Sequence, residues 1–280
     1  MCLPTLSKLK HKLYLCENRF FNLKTYLIMA GHSKWSNIKE RKGAQDKKRS
    51  KLFSRIIKEI HVAVKENGLN GDPETNPALM NAIQNAKGLN LPKDNVDRAI
   101  KKAMGEGSEN YQHLSFEGYG PHGIAIFVEC TSDNQNRIVA EIRSIFTKYG
   151  GSLGTNGSLE FLFDRMGVFT IEKEKLETDW EELQLEVIEF GAESFDETDE
   201  TYIIYSDFTD FGKLSSKLEE LGVEVKNSEL QRIPTNTEEL PVDQAISIMK
   251  MIDVFEDNDD VQNVFHNLEL TDELAEELSK

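Results

Sequence analysis

The chain has 280 residues, which is long enough for two or three domains. Its composition, 39% hydrophobic and 29% charged, is that of a globular protein and is too apolar for a chain that is disordered throughout. No apolar stretch approaches the roughly 18–20 residues that a membrane-spanning helix needs. The cysteines, Cys2, Cys16 and Cys130, are odd in number and form no CxxC pair, which argues against a disulfide scaffold or zinc ribbon and favours a reducing compartment.

Charge is divided unevenly along the chain. Residues 1–110 carry 21 Lys and Arg against 11 Asp and Glu, a net charge of +10, whereas residues 111–280 carry 12 against 38, a net charge of −26. The surplus is densest in residues 29–65, with 11 basic and 3 acidic residues. This asymmetry favours a polyanionic partner at the basic end, and for nucleic acid the release of counterions from phosphates would supply most of the affinity.

Residues 1–28 form an extension that we set apart from the fold. The segment is basic, with Glu17 as its one acidic residue, but polar residues interrupt its apolar runs, so the apolar core of a secretory signal is missing. Two interpretations are open: an organellar transit peptide, or a start codon assigned too far upstream with Met29 as the start. We favour the second and begin the fold at Met29.

Residues 29–108 are predicted to form a basic helical domain. Residues 29–45 have no sustained periodicity and are expected to form a flexible lead-in. A strong helix is predicted over 46–67, with Phe53, Ile60 and Val64 on an apolar face and Lys51 and Arg55 on an opposite, cationic face. We expect the apolar face to enter a core and the cationic face to stay in solvent. Two further helices are predicted over 77–87 and 92–104, and their outer faces are also basic.

After residue 108 the pattern changes to strands. Strands are predicted over 114–119 and 123–131, followed by a helix over 134–149. A glycine-rich loop at 150–157 then leads to a strand predicted over 159–163. A phosphate-binding loop follows a strand and opens a helix, whereas this loop follows a helix and enters a strand, so we interpret it as a mobile connector.

From residue 167 the predicted elements alternate regularly. Their order, βαββαβ, is the ferredoxin-like arrangement, with elements predicted at 168–172, 178–190, 192–196, 201–206, 210–221 and 223–230. A helix over 241–255 and a strand over 261–266 then lack partners nearby. We expect them to return and pair with the 114–163 elements. Residues 271–280 are expected to form an acidic, frayed tail.

The predicted fold class is therefore α+β, with three domains. They are an N-terminal helical domain, a discontinuous α/β middle domain and an inserted ferredoxin-like βαββαβ domain. Their predicted boundaries are 29–108, then 109–165 with 233–280, and 166–232.

Candidate sites for metal, cofactor or nucleophilic chemistry are weak. The six histidines show no metal-ligand spacing, and the acidic runs at 196–200 and 257–260 lack the glycine and terminal glutamate of a calcium loop, so we interpret both runs as solvated turns. Cys130 ends an apolar strand and is interpreted as a buried structural thiol. We therefore predict no catalytic residue, no metal site and no cofactor.

The residues predicted to contact nucleic acid lie in the basic segment. Most are Lys or Arg, and Trp35 is an aromatic side chain suited to stacking on a base or to anchoring in the fold. Because the rest of the chain is acidic, the positive charge is localised as it is in an electrostatic steering patch. The predicted contact residues are His32, Lys34, Trp35, Lys39, Arg41, Lys42, Lys47, Lys48, Lys51, Arg55 and Lys58.

Several segments resemble the YebC/PmpR family over residues 29–270. Besides the helix at 46–60, they are Ala30-Gly-His-Ser-Lys-Trp-Ser-Asn-Ile-Lys, Ala86-Lys-Gly-Leu-Asn-Leu-Pro-Lys-Asp-Asn-Val and Tyr119-Gly-Pro-His-Gly. That family contains proteins described as transcriptional regulators and the mitochondrial translational activator of cytochrome oxidase. The resemblance implies one helical and two α/β domains, no catalytic residue and no cofactor, and it supports a start at Met29.

The resemblance leaves two functions open. Some members are described as DNA-binding regulators, and others as ribosome-associated factors that relieve stalling at proline-rich sequences. The basic domain shows no helix-turn-helix pattern, so contact mainly with phosphates is expected. We expect a cytoplasmic, non-enzymatic, DNA-binding transcriptional regulator, or a mitochondrial matrix protein if residues 1–28 are a transit peptide.

The alternative is a ribosome-associated translation factor that binds ribosomal RNA. An enzyme built on the α/β body is a third, less favoured class. No membrane partner is expected, and the oligomeric state stays open.

Overall fold

The computed structural model describes residues 45–105 and 111–278, with side chains in the first helix from Ser50 onward. Two four-stranded antiparallel sheets and three sets of helices make up this part of the chain. The elements in chain order are α1 (Gln45–Glu66), α2 (Pro77–Gly88), α3 (Lys93–Met104), β1 (Gln112–Tyr119), β2 (Ala125–Ser132), α4 (Gln135–Lys148), β3 (Ser152–Leu153), β4 (Phe163–Glu172), α5 (Trp180–Ile188), β5 (Ala192–Glu197), β6 (Thr201–Asp207), α6 (Phe211–Glu220), β7 (Val225–Pro234), α7 (Val242–Asp257), β8 (Val261–His266) and α8 (Asp272–Leu278).

Helices α1, α2 and α3 form the helical unit. Their apolar faces meet in one core, in which Ile60, Leu79 and Ala103 are fully buried. At the start of α2 the side-chain oxygen of Asn76 accepts a hydrogen bond of 3.1 Å from the amide of Leu79, and Pro77 occupies the first turn, where its missing N–H costs nothing. The three predicted helices are confirmed to within one residue at each end.

The middle sheet has the strand order β3-β1-β2-β8. β8 returns from the end of the chain and pairs with β2, with Phe127 opposite Phe265. Helices α4, α7 and α8 cover one face of this sheet, where Phe146 and Phe255 are buried against each other. The predicted return of the C-terminal elements to the middle sheet is therefore confirmed.

The second sheet has the order β5-β6-β4-β7, and α5 and α6 pack on one of its faces around Phe169, Leu183 and Leu214. This is the ferredoxin-like arrangement, and the predicted fold class is confirmed. The predicted domain boundaries stay predictions. Within the described residues, no helix combines the length and the apolar character needed to cross a membrane.

The strand predicted over 159–163 is wrong. The chain forms a single 3₁₀ turn over Glu160–Leu162, and β4 begins at Phe163. The cause is the buried carboxylate of Glu117 on β1, which accepts hydrogen bonds from the amides of Gly157, at 2.7 Å, and Leu159, at 2.6 Å. These bonds tie the glycine-rich loop to β1, and the mobility expected for the connector stays a prediction.

The frayed tail expected over 271–280 is also wrong in its described part. Residues 272–278 form α8, and Leu274 and Leu278, one turn apart, are buried in the core of the middle sheet. The hydroxyl of Thr271 accepts a hydrogen bond from the amide of Leu274, and acidic residues in the first turn favour the positive end of the helix dipole.

The helical unit is fixed to the ferredoxin-like sheet through α2. The side chain of Asn85 donates to the carbonyl of Ser228 at 2.9 Å and accepts from its amide at 2.8 Å, as a neighbouring strand would. β7 is the edge strand of its sheet, so α2 protects an edge that would otherwise be open. The approach is close at Gly88, where an added Cβ would lie 1.7 Å from the carbonyl oxygen of Lys226.

Candidate nucleic-acid interface

Most of the predicted contact residues fall outside what the structure describes. Six of them lie in residues 32–42, which precede the described part: His32, Lys34, Trp35, Lys39, Arg41 and Lys42. Lys47 and Lys48 lie in the first turns of α1, and their side chains are also outside the description. The roles of all these residues stay predictions.

Lys51, Arg55 and Lys58 follow one another at intervals of a turn along α1, and this cationic face lies against residues 256–260, which we call the acidic segment. The Nζ atom of Lys58 lies 2.7 Å from Oδ1 of Asp260 and donates to the carbonyl of Asp259 at 2.7 Å. Arg55 donates from Nη2 to the carbonyl of Glu256 at 3.2 Å. Lys51 Nζ lies 3.8 Å from a carboxylate oxygen of Asp257.

Asp260 is the centre of these contacts. Its second carboxylate oxygen accepts hydrogen bonds of 2.7 Å from both Arg137 and the hydroxyl of Ser132. Burial by itself would raise the pKa of the Asp260 carboxyl, but the hydrogen bonds from Lys58, Arg137 and Ser132 outweigh burial and hold that pKa below its ordinary value. Asp260 is therefore a charged, buried acceptor that joins α1 to the middle sheet.

Two expectations are corrected by this arrangement. The cationic face of α1 is half-buried rather than solvated at Lys51, Arg55 and Lys58, and burial lowers the pKa of Lys51 and of Arg55. The acidic run at 257–260 is not simply a solvated turn, because Asp260 is buried at the end of the run. The common reason is that the end of α7 and the start of β8 lie directly against α1.

Glu59 adds a second carboxylate to this junction. Its Oε2 atom is buried and, within the described residues, has no hydrogen-bond partner; the same is true of Nε of Arg55. Burial raises the pKa of Glu59 to about 7, the carboxylate of Glu229 on β7 also acts to raise it, and Arg55 opposes both. Sequence reasoning missed Glu59, which stands in the basic segment as an isolated acidic residue with no pattern around it.

Helix α3 carries the exposed basic surface of the helical unit. Lys93, Arg98, Lys101 and Lys102 are exposed there, and we call this set the α3 surface. Asp94 and Asp97 are exposed on the same helix, so the surface has a modest positive surplus. The guanidinium of Arg98 is held by Asn95, with 2.6 Å between Nη2 and Oδ1, and by the carbonyl of Asp94 at 3.0 Å. Sequence periodicity indicated Arg98, Lys101 and Lys102 as outward cations, but they were not included in the predicted site.

Other kinds of chemistry find little support in the described residues. Within them, no group of three or more His, Cys, Asp or Glu side chains is placed to hold a metal ion. Cys130 is buried and free, and burial raises its pKa to about 12, so its thiol stays protonated at neutral pH. The prediction of a buried thiol at Cys130 is confirmed.

The chain resembles known proteins over most of its length. A solved structure of a conserved hypothetical protein from Aquifex aeolicus matches with a TM-score of 0.72 and 38% sequence identity, covering 81% of this chain and 93% of that chain. A curated relative from Amoebophilus asiaticus, named "Probable transcriptional regulatory protein", is 49% identical over 242 residues, which are 86% of this chain and 98% of the relative. A relative from Geobacillus thermodenitrificans with the same name is 46% identical over 242 residues, 86% of this chain and 97% of the relative.

Two family models match consecutive parts of the chain. The TACO1/YebC protein N-terminal domain matches residues 33–106, and the TACO1/YebC second and third domain matches residues 111–268. The first match contains the helical unit, and the second contains both sheets. The chain therefore belongs to the TACO1/YebC family.

Proposed function

We propose that this chain is a non-enzymatic regulator of gene expression that binds nucleic acid through its basic N-terminal region, and that it acts as a DNA-binding transcriptional regulator. The observation that carries the proposal is the separation of charge, with 11 basic and 3 acidic residues in 29–65 and a net charge of −26 in residues 111–280. The name shared by the curated relatives supports a role in gene expression.

The α3 surface supports contact with phosphates. Lys93, Arg98 and Lys101 are exposed on one helix, and Lys and Arg side chains that neutralise phosphates release bound counterions, which supplies sequence-independent affinity. The acidic body repels the same polyanion and so directs its approach to the basic end. Binding of this kind weakens steeply as the salt concentration rises.

A second candidate is a ribosome-associated translation factor that contacts ribosomal RNA. It is favoured by the way in which the helices are covered. α1 lies between the helical core and the acidic segment, and α2 is held against β7 by Asn85. A recognition helix must be free to enter the major groove, and α1 and α2 do not meet this condition; α3 is exposed, but the guanidinium of Arg98 is held by Asn95 and by the carbonyl of Asp94. Contact limited to phosphates suits RNA as well as DNA.

Two experiments separate the candidates. They compare the parent strain, a deletion strain that lacks the protein, and the deletion strain complemented with the gene. Sedimentation of the protein with ribosomes, together with ribosome pauses at proline runs in the deletion strain, would favour the translation factor. A reproducible footprint on one promoter that survives competitor DNA would favour the transcriptional regulator.

We place either activity in the cytoplasm, or in the mitochondrial matrix if residues 1–28 act as a transit peptide; imaging of a C-terminal fusion tests this.

A further inference from the structure

The cationic face of α1 is matched by a row of oxygens. Over two turns of the helix, Lys51 meets a carboxylate of Asp257, Arg55 meets the carbonyl of Glu256, and Lys58 meets both Asp259 and Asp260. A helix face with one cation per turn that meets closely spaced anionic and carbonyl oxygens is the arrangement by which such a face would bind consecutive phosphates.

We propose that the acidic segment, residues 256–260, is an intramolecular substitute for nucleic acid: it covers the cationic face of α1, and a polyanion reaches that face only when the helical unit swings away from the middle sheet. The inference rests on the proposed function, because it requires that the basic region binds nucleic acid. It adds an autoinhibitory contact and assigns Lys51, Arg55 and Lys58 to a face that is closed at rest.

The contact between the cationic face of α1 and the acidic segment can open without exposing a large apolar core. At Lys51, Arg55 and Lys58 the contacts with the acidic segment are ion pairs and hydrogen bonds, which a phosphate backbone replaces in kind. Beside them the ring of Tyr111 lies against Lys58 and His61. Glu59 Oε2 and Arg55 Nε are buried there without a hydrogen-bond partner among the described residues, which lowers the stability of the closed arrangement. Glu59 and Glu229 add repulsion between like charges whenever both are ionised.

The direction of opening follows from the contact on the other side of the unit. The side chain of Asn85 holds α2 to β7 by two hydrogen bonds with the backbone of Ser228, and α1 shares its apolar core with α2. The helical unit therefore moves as one body about the contact between α2 and β7, while α1 leaves the acidic segment.

The apparent affinity is the affinity of the open state multiplied by the fraction of molecules that are open, so weakening the closed state tightens binding. The release variant is Asp257→Asn/Asp259→Asn. Both side chains are exposed, Asp257 by 87%, so the variant keeps the Asp260 centre and the fold. The control is Glu186→Gln/Glu276→Gln, which removes the same charge from exposed positions on α5 and α8.

Binding is measured by fluorescence anisotropy with a short single-stranded RNA and with a duplex DNA of the same sequence, using the full chain at low ionic strength. We expect the release variant to bind about three to five times more tightly than the wild type, because the variant removes one exposed ion pair and the charge of Asp259, and the control to stay within about twofold. Equal affinities for the release variant and the control would overturn the inference while leaving the proposed function standing. Absence of binding in all three proteins would contradict the proposed function and the inference together.

A distance measurement tests the movement itself. Dyes are placed at the exposed positions Ser54→Cys on α1 and Ser144→Cys on α4, in a chain carrying Cys2→Ser and Cys16→Ser. We expect RNA to lower energy transfer between the dyes, and the release variant to show lower transfer before RNA is added. Binding without any change in energy transfer would show that α1 stays on the acidic segment and would overturn the inference.

Discussion

The Nζ atom of Lys58 lies 2.7 Å from Oδ1 of Asp260, and the two side chains are only 12% and 10% exposed. The residues are 202 positions apart in the chain, so this pair closes the contact between the helical unit and the end of α7. Asp260 also binds Arg137 and Ser132, which makes it a shared acceptor for groups from different elements. The most basic described helix is thus held by the acidic body of the same chain.

Lys58→Gln is expected to lower the free energy of unfolding by about 1.5–3 kcal/mol, because Asp260 loses one charge-assisted hydrogen bond but keeps those from Arg137 and Ser132. Urea denaturation followed by circular dichroism measures this change. Lys101→Gln, on the exposed α3 surface, is the matched control and should change stability by no more than about 0.5 kcal/mol. Equal effects of the two substitutions would show that the pair contributes nothing to the domain contact.

Helix α1 shows which features of the fold can be predicted from the sequence and which cannot. The period of apolar residues such as Ile60 and Val64 predicts the helix and its core face, because that pattern is local. The period also indicates a cationic face, but it carries no information about the element opposite that face. Residues 256–260 lie about two hundred positions away, and only the folded topology brings them there.

Long-range pairing could be predicted where an element had no other partner. The strand at 261–266 has no partner nearby in the sequence, so its return to the middle sheet could be predicted, and β8 pairs with β2. By contrast, no local pattern marks Glu117 as the acceptor that shapes the glycine-rich loop, or Asn85 as the side chain that completes the edge of β7. Such single polar contacts depend on the final packing.

Stability should depend on pH through Glu59. Its pKa in the folded chain is about 7, above its ordinary value of 4.5, so the folded state binds a proton more tightly than the unfolded state does. Stability should therefore fall as the pH rises from about 4.5 to 7, by at most about 3 kcal/mol.

Glu59→Gln removes the titration and keeps the shape of the side chain. We expect this variant to be more stable than the wild type at pH 8 and to show a smaller change between pH 5 and pH 8, measured by thermal unfolding across pH. If the two proteins have parallel pH profiles, Glu59 does not titrate near neutrality.

The close approach of α2 to β7 is tested by two alanine substitutions. In Gly88→Ala the new Cβ would meet the carbonyl oxygen of Lys226 at 1.7 Å, which forces α2 away from the strand and weakens the hydrogen bonds of Asn85. A loss of about 2 kcal/mol or more in unfolding free energy is expected. Gly212→Ala is the control on α6, where nothing lies within 4 Å of the new Cβ, and a gain of about 0.5–1 kcal/mol is expected from the better helix propensity of alanine. A neutral Gly88→Ala would mean that α2 does not sit against β7 in solution.

The central claim is that nucleic acid binds the basic helical end of the chain, and the salt dependence of binding tests this claim most directly. The affinity for duplex DNA is measured against salt concentration for the wild type, for Lys93→Gln/Arg98→Gln/Lys101→Gln and for the control Lys148→Gln/Lys213→Gln/Lys250→Gln, which removes exposed lysines from the other units. We predict that the first variant binds more weakly and that its slope of log affinity against log salt is shallower by about 0.9 for each phosphate that the variant no longer neutralises, while the control keeps the wild-type slope. Identical slopes and affinities in all three proteins would contradict the account.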